Sequence, residues 1–130
     1  MTAVGMLQAL GFDLLDQEGV PVRHGALGLK DLAVISDSHA LPELKECTFR
    51  IACDVTNPLC GSQGCSAVFG PQKGADPAMI QQMDQWLSSY AALAGKSFPK
   101  TNPAHAGAGA AGGLGFAFLT FFHATLESGV

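Results

Sequence analysis

Apolar positions recur at helical spacing at the start of the chain. Val4, Met6, Leu7 and Leu10 share one face of Thr2 to Leu10, and Gly11 stands where a glycine closes a helix. Phe12 to Asp16 and Val20 to Val22 read as two short extended runs joined by Gln17-Glu18-Gly19, which predicts a hairpin. From Arg23 to Ile35 no single period holds, and Gly25, Gly28 and the Ser36-Asp37-Ser38 cluster predict a mostly irregular stretch. Between Cys47 and Val55, Phe49, Ile51, Cys53 and Val55 alternate with Thr48, Arg50, Ala52 and Asp54, the pattern of a strand with one apolar face. Asp54 falls on the polar face at the strand's end, before Thr56-Asn57-Pro58 stops the ladder.

The clearest helix opens at Asp76-Pro77. An aspartate accepts the free amide hydrogens of a first turn, and a proline already has a helical φ and wastes no donor there. Met79, Ile80, Met83, Trp86, Leu87, Tyr90, Ala91 and Ala94 then recur at three and four, and Gly95 is the expected end. Trp86 and Tyr90 share a face, with core burial expected for the tryptophan at least. Lys96 to Asn102 reads as a polar linker. The apolar run Leu114 to Leu126, behind a glycine-rich loop, reads as a buried helix. The fold class is therefore α/β, a mixed sheet with helices.

The length, 130 residues, suits one unit, and 48% hydrophobic content is enough to form a core. Only 14% of residues are charged, with 16 glycines, a composition closer to the interior of something larger than to a freestanding small protein. A net charge of −4 provides no overall basic field to gather nucleic acid or an anionic membrane. Gly115, Thr120, His123 and Thr125 interrupt the longest apolar run, so no membrane span is expected. Met1 to Met6 lacks a cationic start and a continuous apolar stretch, so no secretory signal is read and a cytoplasmic location is expected. Cys47, Cys53, Cys60 and Cys65 lack the two-residue gap of a zinc turn and sit mainly among apolar neighbours; buried, reduced thiols are expected. The four histidines are scattered and point to no metal site.

Three segments have the residue types for chemistry. Asp54 to Gly61 carries a carboxylate at a strand end and an amide, Asn57, in a proline turn. Such a pair holds Mg²⁺ or orients a hydroxyl, or else satisfies local backbone as an Asx turn. Phe69 to Asp76 places Gln72 and Lys73 between two glycines just before a helix, which suits a carboxylate or phosphate, although the spacing is not that of a P-loop and a solvated lysine in a plain turn is the simpler reading. Gly107 to Gly115 contains G-x-G-x-x-G, but no strand precedes it and no acidic residue follows at the required distance, so a dinucleotide fingerprint is not supported. What survives is a loop whose amides face an anion or whose small residues allow close helix packing.

In combination these blocks go further. Cys53-Asp54-Val55-Thr56-Asn57-Pro58-Leu59-Cys60-Gly61, then Ala67-Val68-Phe69-Gly70-Pro71-Gln72-Lys73-Gly74-Ala75, then Gly107-Ala108-Gly109-Ala110-Ala111-Gly112-Gly113-Leu114-Gly115 stand in the order in which they resemble the bacterial glycerate kinase family (glycerate kinase type I). The opening Gly5 to Gly11 and the closing Leu126 to Val130 fit as well. The resemblance implies ATP- and Mg²⁺-dependent phosphorylation of D-glycerate by an enzyme of two α/β domains around a cleft. It further implies that residues 1–130 correspond to a central segment, because an Asp-Ser-Phe-Lys-type block, a Gly-Gly-Ser-Ala-Thr block and a Thr-Gly-Glu-Gly-Arg block are not seen. On chemical grounds Asp54 and Lys73 are the expected catalytic residues, Asp54 also being the possible Mg²⁺ ligand. Asn57, Gln72, Gly107, Gly109, Gly112 and Gly113 are the expected substrate-binding residues. A non-catalytic anion-binding or assembly module of the same fold is the alternative. An exposed apolar patch, with self-association through it, is expected if such a core is separated from its neighbours.

Overall fold

A computed structural model describes residues 3–23, 26–99 and 101–128. The first helix, α1 (Ala3–Ala9), buries Val4 and Leu7 completely and stops at Gly11, whose φ of +94° is the left-handed geometry a glycine tolerates. Strand β1 (Asp13–Leu15) follows. The expected turn is present, with the Asp16 carboxylate accepting the Glu18 and Val20 amides, but Val20 to Val22 provides no strand. Pro21 has no N–H for a ladder, so only an isolated bridge from Leu15 to Pro21 forms.

The partner of β1 is instead β2 (Val34–Ser36), antiparallel, with Leu14 opposite Ile35. This corrects the irregular reading of Arg23 to Ile35, which in fact contains α2 (Ala26–Asp31) and β2. Both are too short to set up a period of their own. Gly28 is needed for a different reason: a Cβ there would lie 1.9 Å from the Arg23 carbonyl oxygen.

Strand β3 (Thr48–Cys53) matches the alternation seen in the sequence, with Phe49, Ile51 and Cys53 half-buried and Thr48, Arg50 and Ala52 exposed. It pairs in parallel with β4 (His123–Ser128), and Arg50 forks onto Glu127 through two contacts of 3.0 Å. Among the described residues the strands thus form two separate two-stranded sheets, one antiparallel and one parallel.

The crossover between β3 and β4 carries α3 (Cys65–Phe69), α4 (Pro77–Ser97) and α5 (Leu114–Phe121). Asp76 caps α4 as expected, accepting the Met79 amide at 2.8 Å. The helix passes Gly95, which has no left-handed φ, and ends two residues later at Ser97. Leu87, Tyr90, Ala91 and Ala94 form its buried face; Trp86 is only half-buried, so the tyrosine takes the core position. The long apolar run also divides differently from the expectation: α5 stops at Phe121, Phe122 turns extended, and His123 to Glu127 alternates exposed and half-buried as β4. The core centres on α5, where Phe116 and Ala117 are wholly buried and Phe116 meets Tyr90 edge-on at 5.2 Å. Among the described residues, Val20, Leu27, Val34, Leu41 and Met79 are the large apolar side chains left exposed.

The loop before α5 crosses the loop after β3 at close range. Gly109 donates its amide to the Asn57 carbonyl at 2.9 Å, and a Cβ on Gly109 would lie 2.3 Å from the Pro58 carbonyl oxygen. Because the obstacle is backbone, Gly109→Ala is expected to cost about 3 kcal/mol, the upper range for overpacking. Urea unfolding measures it; a loss below about 0.5 kcal/mol would show that the two loops separate freely.

Candidate functional site

Between α1, α3, α4 and the glycine loop lies a cavity of about 530 Å³. Its wall is mainly apolar, with Val4, Leu29, Val55, Phe69, Met83 and Leu87 contributing side chains. All three expected segments reach it, the first only through Val55: Gln72 and Lys73 come from the turn after α3, and Gly112 and Gly113 from the loop before α5. Lys73 ends a 3₁₀ turn, Pro71–Lys73, that closes on Gly74 at φ +86°. It is exposed, makes no ion pair among the described residues, and is the one charged residue among those lining the cavity. A lone cation facing an apolar hollow is matched by an anionic group on a ligand.

The opposite rim is left-handed backbone. Ala111, at φ 51° and ψ 42°, is followed by Gly112 at φ +70° and Gly113 at φ +105°. A side-chain-bearing residue held left-handed costs roughly 1 kcal/mol or more and persists only where its surroundings impose it. Here Gly113 caps α5, and the Gly109 and Gly115 backbones are pinned against Pro58 and Gly107.

The other candidates fall elsewhere. Asp54 is exposed just beyond β3 and, unlike its neighbour Val55, does not line the cavity. Asn57 donates its side-chain amide to the Gln63 carbonyl at 2.8 Å, a backbone contact six residues on rather than an Asx turn, and its Oδ1 is what remains for a ligand. Of the four loop glycines expected to present amides to an anion, Gly107 and Gly109 do not line the cavity. The Gly109 amide is taken by Asn57, and a Cβ on Gly107 would meet Leu126 at 2.9 Å and the Cys53 sulfur at 3.1 Å. Both serve close packing.

Sequence reasoning missed three contributors. Asp84 of α4 accepts the Gly61 amide at 2.9 Å and ties the loop after β3 to the helix. Ser66 and Tyr90 add buried polar groups to the cavity wall. An acidic residue on a helix and a tyrosine on an apolar face carry no local signal of these roles. Ser38, His39 and Asp13 do come together, with His39 2.6 Å from Asp13, but both contacts fall on the same ring nitrogen, Nδ1. A hydrolase triad needs the serine and the aspartate on opposite nitrogens.

No group of three or more His, Cys, Asp or Glu able to hold a metal occurs among the described residues, and all four cysteines are free. Cys47 is exposed, against the expectation of burial; only Cys65 is fully buried. No described helix is long and apolar enough to cross a membrane. Burial raises the Cys60 and Cys65 thiols and pushes the Tyr90 phenol well above its usual range. In the unfolded chain these groups ionise near 9.0 and 10.0, while the folded chain keeps their protons to higher pH. Above those values the unfolded state therefore binds fewer protons than the native one, and stability falls as pH rises. Urea midpoints are expected to fall between about pH 8 and about pH 10; equal midpoints would contradict the burial of the three groups.

The family model for the glycerate kinase family matches residues 2–130. The chain belongs to the glycerate kinase family. It is 48% identical over 126 residues to glycerate 2-kinase of Escherichia coli K12, covering 97% of this chain and 33% of that protein. With the glycerate kinase of Haemophilus influenzae it shares 44% identity over 127 residues, covering 98% of this chain and 34% of that one. The crystal structure of a putative glycerate kinase 2 from Salmonella typhimurium LT2 superposes with a TM-score of 0.93 at 47% identity, over 97% of this chain and 34% of that one. The chain thus spans about a third of the length of the glycerate kinases it matches.

Proposed function

We propose that this chain supplies one wall of a cytoplasmic glycerate kinase site, as a central segment of such an enzyme, where a phosphoryl group passes from ATP to a hydroxyl of D-glycerate. The observation that carries the reading is the gathering of Gln72, Lys73, Gly112 and Gly113, from two family blocks far apart in sequence, around one cavity. Phosphoryl transfer asks a protein mainly for positioning and for positive charge near the phosphate oxygens. Lys73 provides that charge, Gln72 orients a substrate oxygen beside it, and Gly112 and Gly113 let a ligand approach the backbone closely.

In this reading Asp54, just outside the cavity, accepts the attacking hydroxyl's proton, with Asn57 Oδ1 in the same loop. A single exposed carboxylate fits Mg²⁺, which takes most of its ligands from water and phosphate, and does not fit a metal needing an all-protein cage. When bound, Mg²⁺ would neutralise charge on the phosphates.

The test replaces the aligned third of the E. coli relative with residues 2–130 and follows ATP-dependent phosphorylation of D-glycerate by product formation. Activity that depends on Lys73 supports the reading. A folded, inactive chimera would leave the alternative, an anion-binding module without catalysis.

A further inference from the structure

Two thiols meet where the loop after β3 turns into α3. The chain doubles back over residues 59–65: the Cys65 amide donates to the Leu59 carbonyl at 3.3 Å, and the Cys65 thiol donates to the same oxygen at 3.4 Å. A carbonyl oxygen and the next Cα lie roughly 2.8 Å apart across a planar peptide, so the Cys65 sulfur is within roughly 6 Å of the Cys60 Cα. From the other side, Gly64 is pressed so close that a Cβ on it would lie 2.7 Å from that same Cα. A disulfide joins residues whose Cα atoms are about 4.4–6.8 Å apart, and this turn places Cys60 and Cys65 at such a range.

The turn is also fixed before any bond forms. The Gly61 amide is held by Asp84 at 2.9 Å, the Gly64 amide by the Gly61 carbonyl at 3.0 Å, and the Gln63 carbonyl by the Asn57 side chain at 2.8 Å. Closing a short ring on a loop already shaped this way costs little chain entropy. The two thiols differ in access: Cys60 is half-buried and Cys65 is buried. Burial raises both thiols, so neither is a thiolate at rest at neutral pH.

We propose that Cys60 and Cys65 are a modification site, forming a reversible disulfide that staples the loop after β3 to the head of α3. The oxidant is a small disulfide of the glutathione class. Cys60, the more accessible thiol, gives up its proton and attacks the small disulfide, forming a mixed disulfide and expelling one small thiolate. The Cys65 sulfur, giving up its proton, then attacks the Cys60 sulfur and expels the second. The two protons leave on the two small thiols, and the two electrons pass to the small disulfide. In a reducing compartment such a bridge is transient, formed only when small disulfides accumulate. Its effect on catalysis rests on the kinase reading: the staple joins the loop that carries Asp54 and Asn57 to the helix that leads into the Lys73 turn, and slows the reaction. The bridge itself does not rest on that reading.

The test uses the 130-residue chain with Cys47→Ser, which removes the exposed thiol. It is reduced, incubated with oxidised glutathione at about pH 8, unfolded and alkylated, then reduced and alkylated with a second reagent, and fragment masses locate each label. Cys60 and Cys65 are expected to take the second reagent together, in a chain that was lighter by two hydrogens and carried no glutathione, while Cys53 takes the first. Cys65→Ala is expected to stop at a glutathione adduct on Cys60. The proposal is overturned if the Cys60–Cys65 chain also stops at that adduct, if Cys60 pairs with Cys53, or if Cys65 takes the first reagent. The same oxidation of the E. coli chimera is expected to slow glycerate phosphorylation severalfold, a loss reversed by dithiothreitol and absent with Cys65→Ala. An unchanged rate in a bridged chimera would remove the effect on catalysis. A bridged chimera that is inactive even when reduced would keep the modification site and remove the kinase reading.

Discussion

Phe116→Ala is expected to lower stability by about 3–5 kcal/mol, the usual cost of emptying a buried aromatic site. Phe116 has no exposure, sits at the first turn of α5, and presents its ring edge-on to Tyr90 at an interplanar angle of 73°. Its amide also donates to the Ala108 carbonyl at 2.8 Å, so side chain and backbone hold α5 to two different elements. Phe116 belongs to the same core cluster as the wholly buried Ala94, Ala117 and Leu59, whose close packing leaves little room to collapse into the space. Against a total of about 5–15 kcal/mol for a typical domain, this loss removes a large share. In urea it corresponds to a midpoint shift of roughly 2 M. A shift below about 0.5 M would mean that α4 and α5 are not packed through this ring.

Lys73→Ala in the E. coli chimera is expected to lower glycerate phosphorylation by about a hundredfold or more, the range seen when one preorganised charge stabiliser is removed from a reacting centre. The urea midpoint of the 130-residue chain should stay within the equivalent of about 0.5 kcal/mol, because Lys73 is exposed and unpaired. That contrast separates a chemical from a structural role. Lys73→Arg sharpens it: charge is kept but spread over a planar fork, so partial activity is expected if Lys73 acts as a point charge on a phosphate. Full activity in Lys73→Ala would remove the lysine from the site.

The structure also bears on how such a site is assembled. Lys73 lies on a turn whose position depends on α3 in front and the Asp76-capped α4 behind. Gly112 and Gly113 lie on a loop held by contacts between the Gly107, Gly109 and Gly115 backbones and their neighbours. Substitution at a packing glycine is therefore expected to disturb the site indirectly, while substitution at Lys73 disturbs it directly.

Elements whose cause lies within a few residues were legible from the chain alone. The Asp76-Pro77 start of α4, the glycine stop of α1 and the alternation of β3 are local: a cap, a left-handed turn and a pleat each act over a handful of positions. Three ordered blocks also carried the family resemblance, because chemistry constrains residue types in short runs. Tertiary structure decided the rest. Leu114 to Leu126 is mostly apolar, and periodicity cannot separate a buried helix from a buried strand; the division at Phe122 comes from β3, whose backbone needs a parallel partner. Val34 to Ser36 is a strand because Leu14 needs a cross-strand neighbour that Pro21 prevents the nearer segment from supplying. The four loop glycines look alike in sequence, yet Gly107 and Gly109 are consumed by packing while Gly112 and Gly113 line a cavity. Short-range chemistry is written in the order of residues, whereas the partners for backbone hydrogen bonds and the hollow between helices exist only once distant segments meet.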